Sequence, residues 1–173
     1  MVEIVFRPPN VIILVAIGVV VVGLISVFLK KGEVSRKIMS LVIVVAVAGG
    51  LLLALYRSTT LTVDEDGLRT SGLSGMDLSW EEVEHAYLET NLGFSEYRPT
   101  VRTRGTAIGD YRSGRFLLSN GDSARVLMER ADQAVVLVTA ELTYLFAPSE
   151  IDVLADAISR FRPLPDAPGD AGS

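Results

Sequence analysis

The stretch Ser58-Thr59-Thr60-Leu61-Thr62-Val63-Asp64-Glu65-Asp66-Gly67-Leu68 decides the fold. Leu61 and Val63 alternate with Thr60, Thr62 and Asp64, the two-residue period of a half-buried strand. Asp64 to Gly67 supply turn chemistry, and Leu68 to Leu73 return as a second run. A hairpin is therefore predicted here. The alternating pattern continues downstream, so the chain from residue 57 to 162 is expected to be one mainly-β domain.

Upstream of Ser58 the period is different. Two apolar runs, Val11 to Leu29 and Ile38 to Tyr56, each hold nineteen residues without a formal charge. As a helix, either run is about 28 Å long, close to a hydrocarbon core of roughly 30 Å. Fifteen of the nineteen residues in the first run are Val, Ile, Leu or Phe. The pattern predicts two transmembrane helices, 11–29 and 38–56, joined by the basic loop 30–37 (Lys30-Lys31-Gly32-Glu33-Val34-Ser35-Arg36-Lys37). A secretory signal peptide fits poorly: the apolar region exceeds a signal core, no small-x-small cleavage pattern follows, and Lys30-Lys31 lead into a second run. Residues 1–10 read as an N-terminal tail, too short and polar to fold, with Pro8-Pro9 barring any helix before Asn10.

Neither run contains an acidic, basic or strongly polar side chain beyond Ser26 and Ser40, and channels or proton relays need ionisable groups inside the membrane. The runs therefore read as an anchor through residues 11–56. In the second run Ala46, Gly50 and Ala54 recur every four residues and form a small-residue face that lets another helix approach closely. Its partner is either the first run or a second copy, a homodimer. Four basic residues lie in the loop, against Arg7 before the first run and Arg57 and Arg69 after the second. This bias predicts a cytoplasmic loop 30–37 and an extracytoplasmic β domain.

The chain has no cysteine among its 173 residues, which excludes disulfides, thiolate zinc sites and cysteine nucleophiles. From residue 57 onward it carries 11 basic and 19 acidic residues and no lysine. A field of that sign repels nucleic acid, which is excluded as a partner.

Further along, Ser79-Trp80-Glu81-Glu82 matches a capping box and predicts one short helical turn before a strand near His85 to Glu89. Thr90 to Thr100 reads as a loop, Val101 to Arg104 as a short strand, and Gly105 to Gly114 as an irregular connection pivoting on its glycines. Arg115 to Ser119 and Ser123 to Glu129 flank Asn120-Gly121, the strongest hairpin signal in the chain. Ala134 to Thr139 is continuously apolar, as a strand buried on both faces would be, and Leu142 to Phe146 completes the set. Ile151, Leu154, Ile158 and Phe161 form one apolar stripe of a final helix, with Ser149 and Asp152 placed as a capping box. Pro163, Pro165 and Pro168 end it, and residues 163–173 are expected to be a disordered tail.

Three stretches carry a family likeness: Leu61 to Leu68, Leu78-Ser79-Trp80-Glu81-Glu82-Val83, and the most specific, Arg102 to Phe116. With the single C-terminal helix they resemble the prokaryotic PH-like domains found beside transmembrane helices, over roughly Ser58 to Phe161. The resemblance implies a partly open, strongly bent antiparallel barrel capped by the C-terminal helix, below a membrane α-hairpin. It delivers fold more than function. Phosphoinositide-binding PH domains carry several basic residues around the first strand pair, whereas this chain has Arg57 and Arg69 there beside three consecutive acids.

One basic concentration stands out. Arg98, Arg102, Arg104, Arg112 and Arg115 are interleaved with Tyr97 and Tyr111, the residue types of binding hot spots. They are either an interaction surface or ordinary surface ion pairs with the surplus carboxylates. Trp80 reads as core packing. His85 is the only histidine and leaves no metal set. Asp64, Asp66 and Asp110 do not follow a calcium-loop spacing. No catalytic residue, metal or cofactor is expected. The functional expectation is a non-enzymatic, membrane-anchored module for protein interaction or scaffolding; the alternative is a sensor of anionic lipid or polymer through the Arg-rich segment 98–115.

Overall fold

The computed structural model describes residues 1–7, 9, 11–29, 39, 42–47, 49–50, 59–71 and 75–165. They divide into two units, Met1–Arg7 with Ser58–Ser173, and Pro8–Arg57.

The first unit is a mainly-β domain of two sheets. Alternation in Val2-Glu3-Ile4-Val5-Phe6 makes strand β1 (Val2–Phe6), with Ile4 and Phe6 buried. β1 pairs antiparallel with β2 (Thr59–Val63), which turns through the acidic loop into β3 (Gly67–Thr70) and then β4 (Met76–Ser79). These four form one sheet in the order β1-β2-β3-β4. The expected 1–10 tail is thus corrected: its period-two pattern gains a partner in Thr59–Val63, and apolar burial fixes it there.

The second sheet holds β5 (Val83–Glu89), β6 (Pro99–Ile108), β7 (Tyr111–Leu118), β8 (Ser123–Met128), β9 (Ala134–Thr139) and β10 (Thr143–Ala147). Their order is β5-β9-β10-β8-β7-β6. Because β10 inserts between β9 and β8, it runs antiparallel to the first and parallel to the second. The expected all-antiparallel barrel is therefore corrected to two sheets that do not close, with one parallel pairing.

β9 explains how the domain packs. Val135 and Leu137 join a core shared with both sheets and helix α2 (Ile151–Ser159), while Ala134 and Val136 face a second cluster with Phe116, Val126 and Leu145. Its continuous apolar run is the signature of burial on both faces. Helix α2 seals the first cluster with Ile151, Leu154, Ala157 and Ile158. Its large aliphatic side chains are each worth about 1.5–3 kcal/mol in apolar burial.

Several local expectations are revised. Ser79 and Glu82 make capping bonds, Ser79 N–H donating to Glu82 Oε2 at 3.0 Å while Ser79 Oγ accepts from Glu81 N–H at 3.3 Å. They do so around a tight turn between β4 and β5, not a helix, because Val83 immediately begins a buried strand. Ser149 does not cap α2; its N–H and Oγ–H both donate to Glu129 Oε2, at 2.9 and 2.6 Å. Phe161 lies beyond α2 and stacks on Trp80 at 5.5 Å. Residues 163–165 are not the start of a loose tail: Leu164 packs on the first core, and the Pro165 carbonyl accepts from Leu88 N–H at 3.0 Å, covering part of the outer edge of β5. Residues 166–173 lie outside the described residues.

The second unit contains helix α1 (Val11–Leu29), nineteen residues without a charge. Of the second run, helical backbone is described at residues 39, 42–47 and 49–50. Side chains in α1 are described at 14–15, 17–23 and 25, and among the described residues no helix is long and apolar enough to cross a membrane. The two-span anchor is therefore not shown, and loop 30–37 lies outside the described residues. Where the runs meet, a Cβ at Gly23 would come within 2.8 Å of Val44 Cγ1, so Gly23 is the close-approach residue. Gly50, by contrast, has open space beside it, and Ala54 lies outside the described residues. No homodimer contact through Ala46, Gly50 and Ala54 is shown.

Candidate interaction surface

The segment expected to be a short strand and an irregular connection is one long hairpin, β6 and β7, turning at Gly109-Asp110. Gly105 and Gly114 are register partners at φ +115° and +132°. A Cβ on Gly105 would sit 2.1 Å from the Ser113 carbonyl oxygen, and one on Gly114 2.2 Å from that of Arg104. The glycines thus permit a close strand crossing; they do not break the strands.

The same hairpin sorts the predicted arginines. A register shift between Arg102 and Arg104 sets Arg102 opposite Phe116 and Arg104 opposite Arg115. Phe116 points into the second core cluster, so Arg115 stands on the other face. Arg115 is in turn opposite Arg125 on β8, and Arg125 is opposite Tyr144 on β10. Paired residues share a face, so Arg104, Arg115, Arg125 and Tyr144 form a row across four neighbouring strands.

Arg98 and Arg112 have a different duty. Arg98 Nη1 donates to the Gly93 carbonyl at 3.1 Å and Arg112 Nη1 to that of Pro99 at 2.9 Å, pinning the loop that leads into β6. Tyr97 stacks on Tyr87 in the same region, and burial pushes its hydroxyl pKa up. Tyr111 is half-buried at the start of β7, where burial likewise raises its pKa against a hydrogen bond with Ser113. The six predicted residues are therefore not brought into one site. Arg104 and Arg115 meet, and Arg125, absent from the predicted set, joins them.

The ion pairs formed among the described residues involve Arg69 and Arg130. Arg69 reaches Asp64, Asp66 and Asp77 at 3.9, 3.5 and 3.1 Å, which uses up the acidic turn and the arginine nearest it. No described carboxylate lies within ion-pair distance of Arg104, Arg115 or Arg125. Among the described residues the row is thus not the set of surface ion pairs that the acidic composition allowed. Arg125 Nη1 makes one long contact, 3.4 Å, to the Gly75 carbonyl. Burial pushes the Tyr144 hydroxyl pKa up; the nearby Arg125 and Arg115 oppose that rise, and Glu82 and Glu141 add to it.

A second feature is an open cleft lined by Asp110, Arg130, Ala131, Asp132 and Ser149. Three of its groups are already engaged: Arg130 Nε donates to Asp132 Oδ1 at 2.6 Å, and Ser149 donates to the neighbouring Glu129, which also accepts from Arg7 N–H. Among the described residues no group of three or more His, Asp or Glu side chains could hold a metal.

Residues 63–161 match the family model described as Bacterial PH domain, more than half of the 173-residue chain. The chain belongs to this family. Membership of the bacterial PH domain family supports a protein or lipid interaction module, and PH-like domains are generally non-catalytic. The matched interval opens at the end of β2, so β1 and the apolar unit lie outside it. A comparison with curated proteins gives no match.

Proposed function

We propose that this bacterial PH domain is a membrane-anchored module that binds a protein partner. The observation that carries the anchorage is the pairing of β1 with β2. The chain leaves the domain after Phe6 and returns at Thr59, and these two residues are register partners. An inserted segment that starts and ends at one point can enter a bilayer only as a hairpin, with an even number of crossings. Helix α1 supplies nineteen uncharged residues for one crossing, and Leu14, Val15, Val19 and Val22 on it are about half or more exposed, at 67, 63, 56 and 64%. A contiguous exposed apolar surface of that kind requires lipid or protein around it. The second run, 38–56, supplies the return crossing, and the basic loop 30–37 places the far end in the cytoplasm. The domain and the N-terminus then lie together on the outer side.

The test uses the absence of cysteine. Single cysteines are placed at Glu3, Ser35 and Gly121, and intact cells are treated with a membrane-impermeant thiol reagent. Labelling at 3 and 121 with protection at 35 is expected. Labelling at 35 alone reverses the orientation, unequal labelling at 3 and 121 rules out the hairpin, and release of the protein by alkaline carbonate rules out the anchor. Partner binding is supported by Arg104, Arg115 and Arg125, which form no ion pair among the described residues, and is tested by crosslinking in native membranes. Recovery of the protein alone would oppose it.

A further inference from the structure

We infer that the Arg104–Arg115–Arg125 row is the docking face for an acidic helical segment of a protein partner, laid across β6, β7 and β8. The inference rests on the reading of the domain as a protein-binding module and names the chemistry of what it binds.

Three like charges in register on adjacent strands destabilise a sheet. The domain could relieve this cheaply, since 19 acidic residues follow position 57. None of the described ones forms an ion pair with these three arginines, although Arg69 alone has three. Arg104 and Arg115 are exposed, β6 is the last strand of its sheet, and neither guanidinium makes a side-chain bond among the described residues. Each guanidinium offers five donors suited to a carboxylate fork. A local rule broken without internal compensation is expected where a ligand completes the structure.

Spacing selects the form of the ligand. Neighbouring strands lie about 4.8 Å apart, so the row presents charges at steps of roughly 5 Å perpendicular to the strands. Carboxylates three or four residues apart on a helix are about 5–6 Å apart, whereas same-face residues of an extended strand repeat at nearly 7 Å. A helix crossing the strands therefore matches the row. The charge balance favours a short segment over an anionic surface. A membrane or polymer large enough to cover the domain also meets its net charge of about −8, while one helix meets only the row.

The test is made on the full chain in nanodiscs of zwitterionic lipid. Three probes are used: a fluorescent helical peptide with Glu at every fourth position, a peptide of the same length and composition with its Glu residues gathered at alternate positions, and vesicles containing phosphatidylglycerol. The first peptide is expected to bind, to lose affinity at least tenfold in Arg104→Glu and Arg115→Glu, and to be unaffected by Arg160→Glu, which lies at the end of α2. The second peptide is expected to bind at least fivefold more weakly. Equal binding of both peptides, or no loss in the variants, overturns the inference. Row-dependent vesicle binding without peptide binding overturns it in favour of lipid.

A separate readout is stability. Arg115→Gln, which removes the central charge, is expected to raise Tm while weakening the peptide; a lowered Tm contradicts the repulsion on which the inference stands. Crosslinking in native membranes separates the two readings. A partner captured equally by wild type and Arg104→Glu/Arg115→Glu rejects the row and leaves the module, whereas no partner in either rejects the module itself.

Discussion

Phe6→Ala gives the sharpest check on the two-sheet domain. Phe6 is 0% exposed and packs in the core shared by both sheets and α2, although it lies in a segment whose composition reads as a tail. Truncating a buried phenylalanine costs about 3–5 kcal/mol, from lost transfer energy and the cavity left behind. Domains are stable by only about 5–15 kcal/mol, and near this size roughly 3–6 °C of Tm is lost per kcal/mol. A fall on the order of 10–25 °C is expected. Trp80 is the single tryptophan and reports it directly, because its Nε1–H donates to the Asp64 carbonyl at 2.9 Å and its ring stacks on Phe161. Thermal unfolding followed by Trp80 emission compares Phe6→Ala with Val5→Ala, whose side chain is 45% exposed on the same strand and should cost less than about 0.5 kcal/mol. Equal, small effects of the two substitutions would refute β1 as part of the core.

Further outcomes follow from single contacts. Arg162 Nη2 donates to the carbonyls of Trp80 and Val83 at 2.8 and 2.6 Å, tying the end of the C-terminal segment to the β4–β5 turn. Arg162→Ala should cost about 1.5–3 kcal/mol and shift Trp80 emission to the red, read by denaturant titration. Gly114→Ala combines a positive φ with a 2.2 Å clash against a backbone carbonyl and should destabilise the β6–β7 crossing by at least about 1–3 kcal/mol; an unchanged unfolding midpoint would contradict that geometry. Burial raises the pKa of Tyr97, Tyr111 and Tyr144 in the folded domain. The unfolded chain then loses these protons first, so their contribution is complete below the ordinary tyrosine range near pH 10 and is lost as pH rises through the folded values. Alkaline unfolding should begin above about pH 10, and Tyr111→Phe should make it shallower.

Which of these features were legible in the sequence depended on whether local pattern or long-range pairing decided them. β2, β3, β9, β10 and the buried stripe of α2 follow from alternation or period alone. The box at Ser79 to Glu82 forms its bonds, yet those bonds serve a tight turn as well as a helix, and only the burial of Val83 chooses between them. Gly105 and Gly114 look like loop pivots because the reason for glycine, a close approach of another strand, lies in the partner. The arginine row was hidden by register. Asn120-Gly121 announces a hairpin, and a two-residue turn there would set Ser119 opposite Asp122. Instead Gly121 adopts φ +90° and Leu117 falls opposite Ser123, the pattern of a three-residue turn with a bulge. One residue of register exchanges the faces, and only this register places Arg125 beside Arg115.

The position of β1 also links folding to the apolar unit. Val2–Phe6 must wait for Thr59–Val63, and closing a loop of about fifty residues costs roughly 2–3 kcal/mol more than closing a tight turn. Two packed helices, whose axes lie about 8–10 Å apart, bring their outer ends together and offset that cost. Gly23 against Val44 is a contact of the required kind. If the apolar unit contributes only this proximity, a short flexible link can replace it. Residues 8–57 exchanged for a linker of about six Gly and Ser residues should therefore give a folded, water-soluble domain, since Phe6 and Thr59 are neighbours in the ladder and need about 5 Å spanned. Native Trp80 emission and cooperative unfolding are the expected readouts. An aggregated product, or one in which Phe6→Ala no longer matters, would mean that the apolar unit supplies more to the sheet than closeness of its ends.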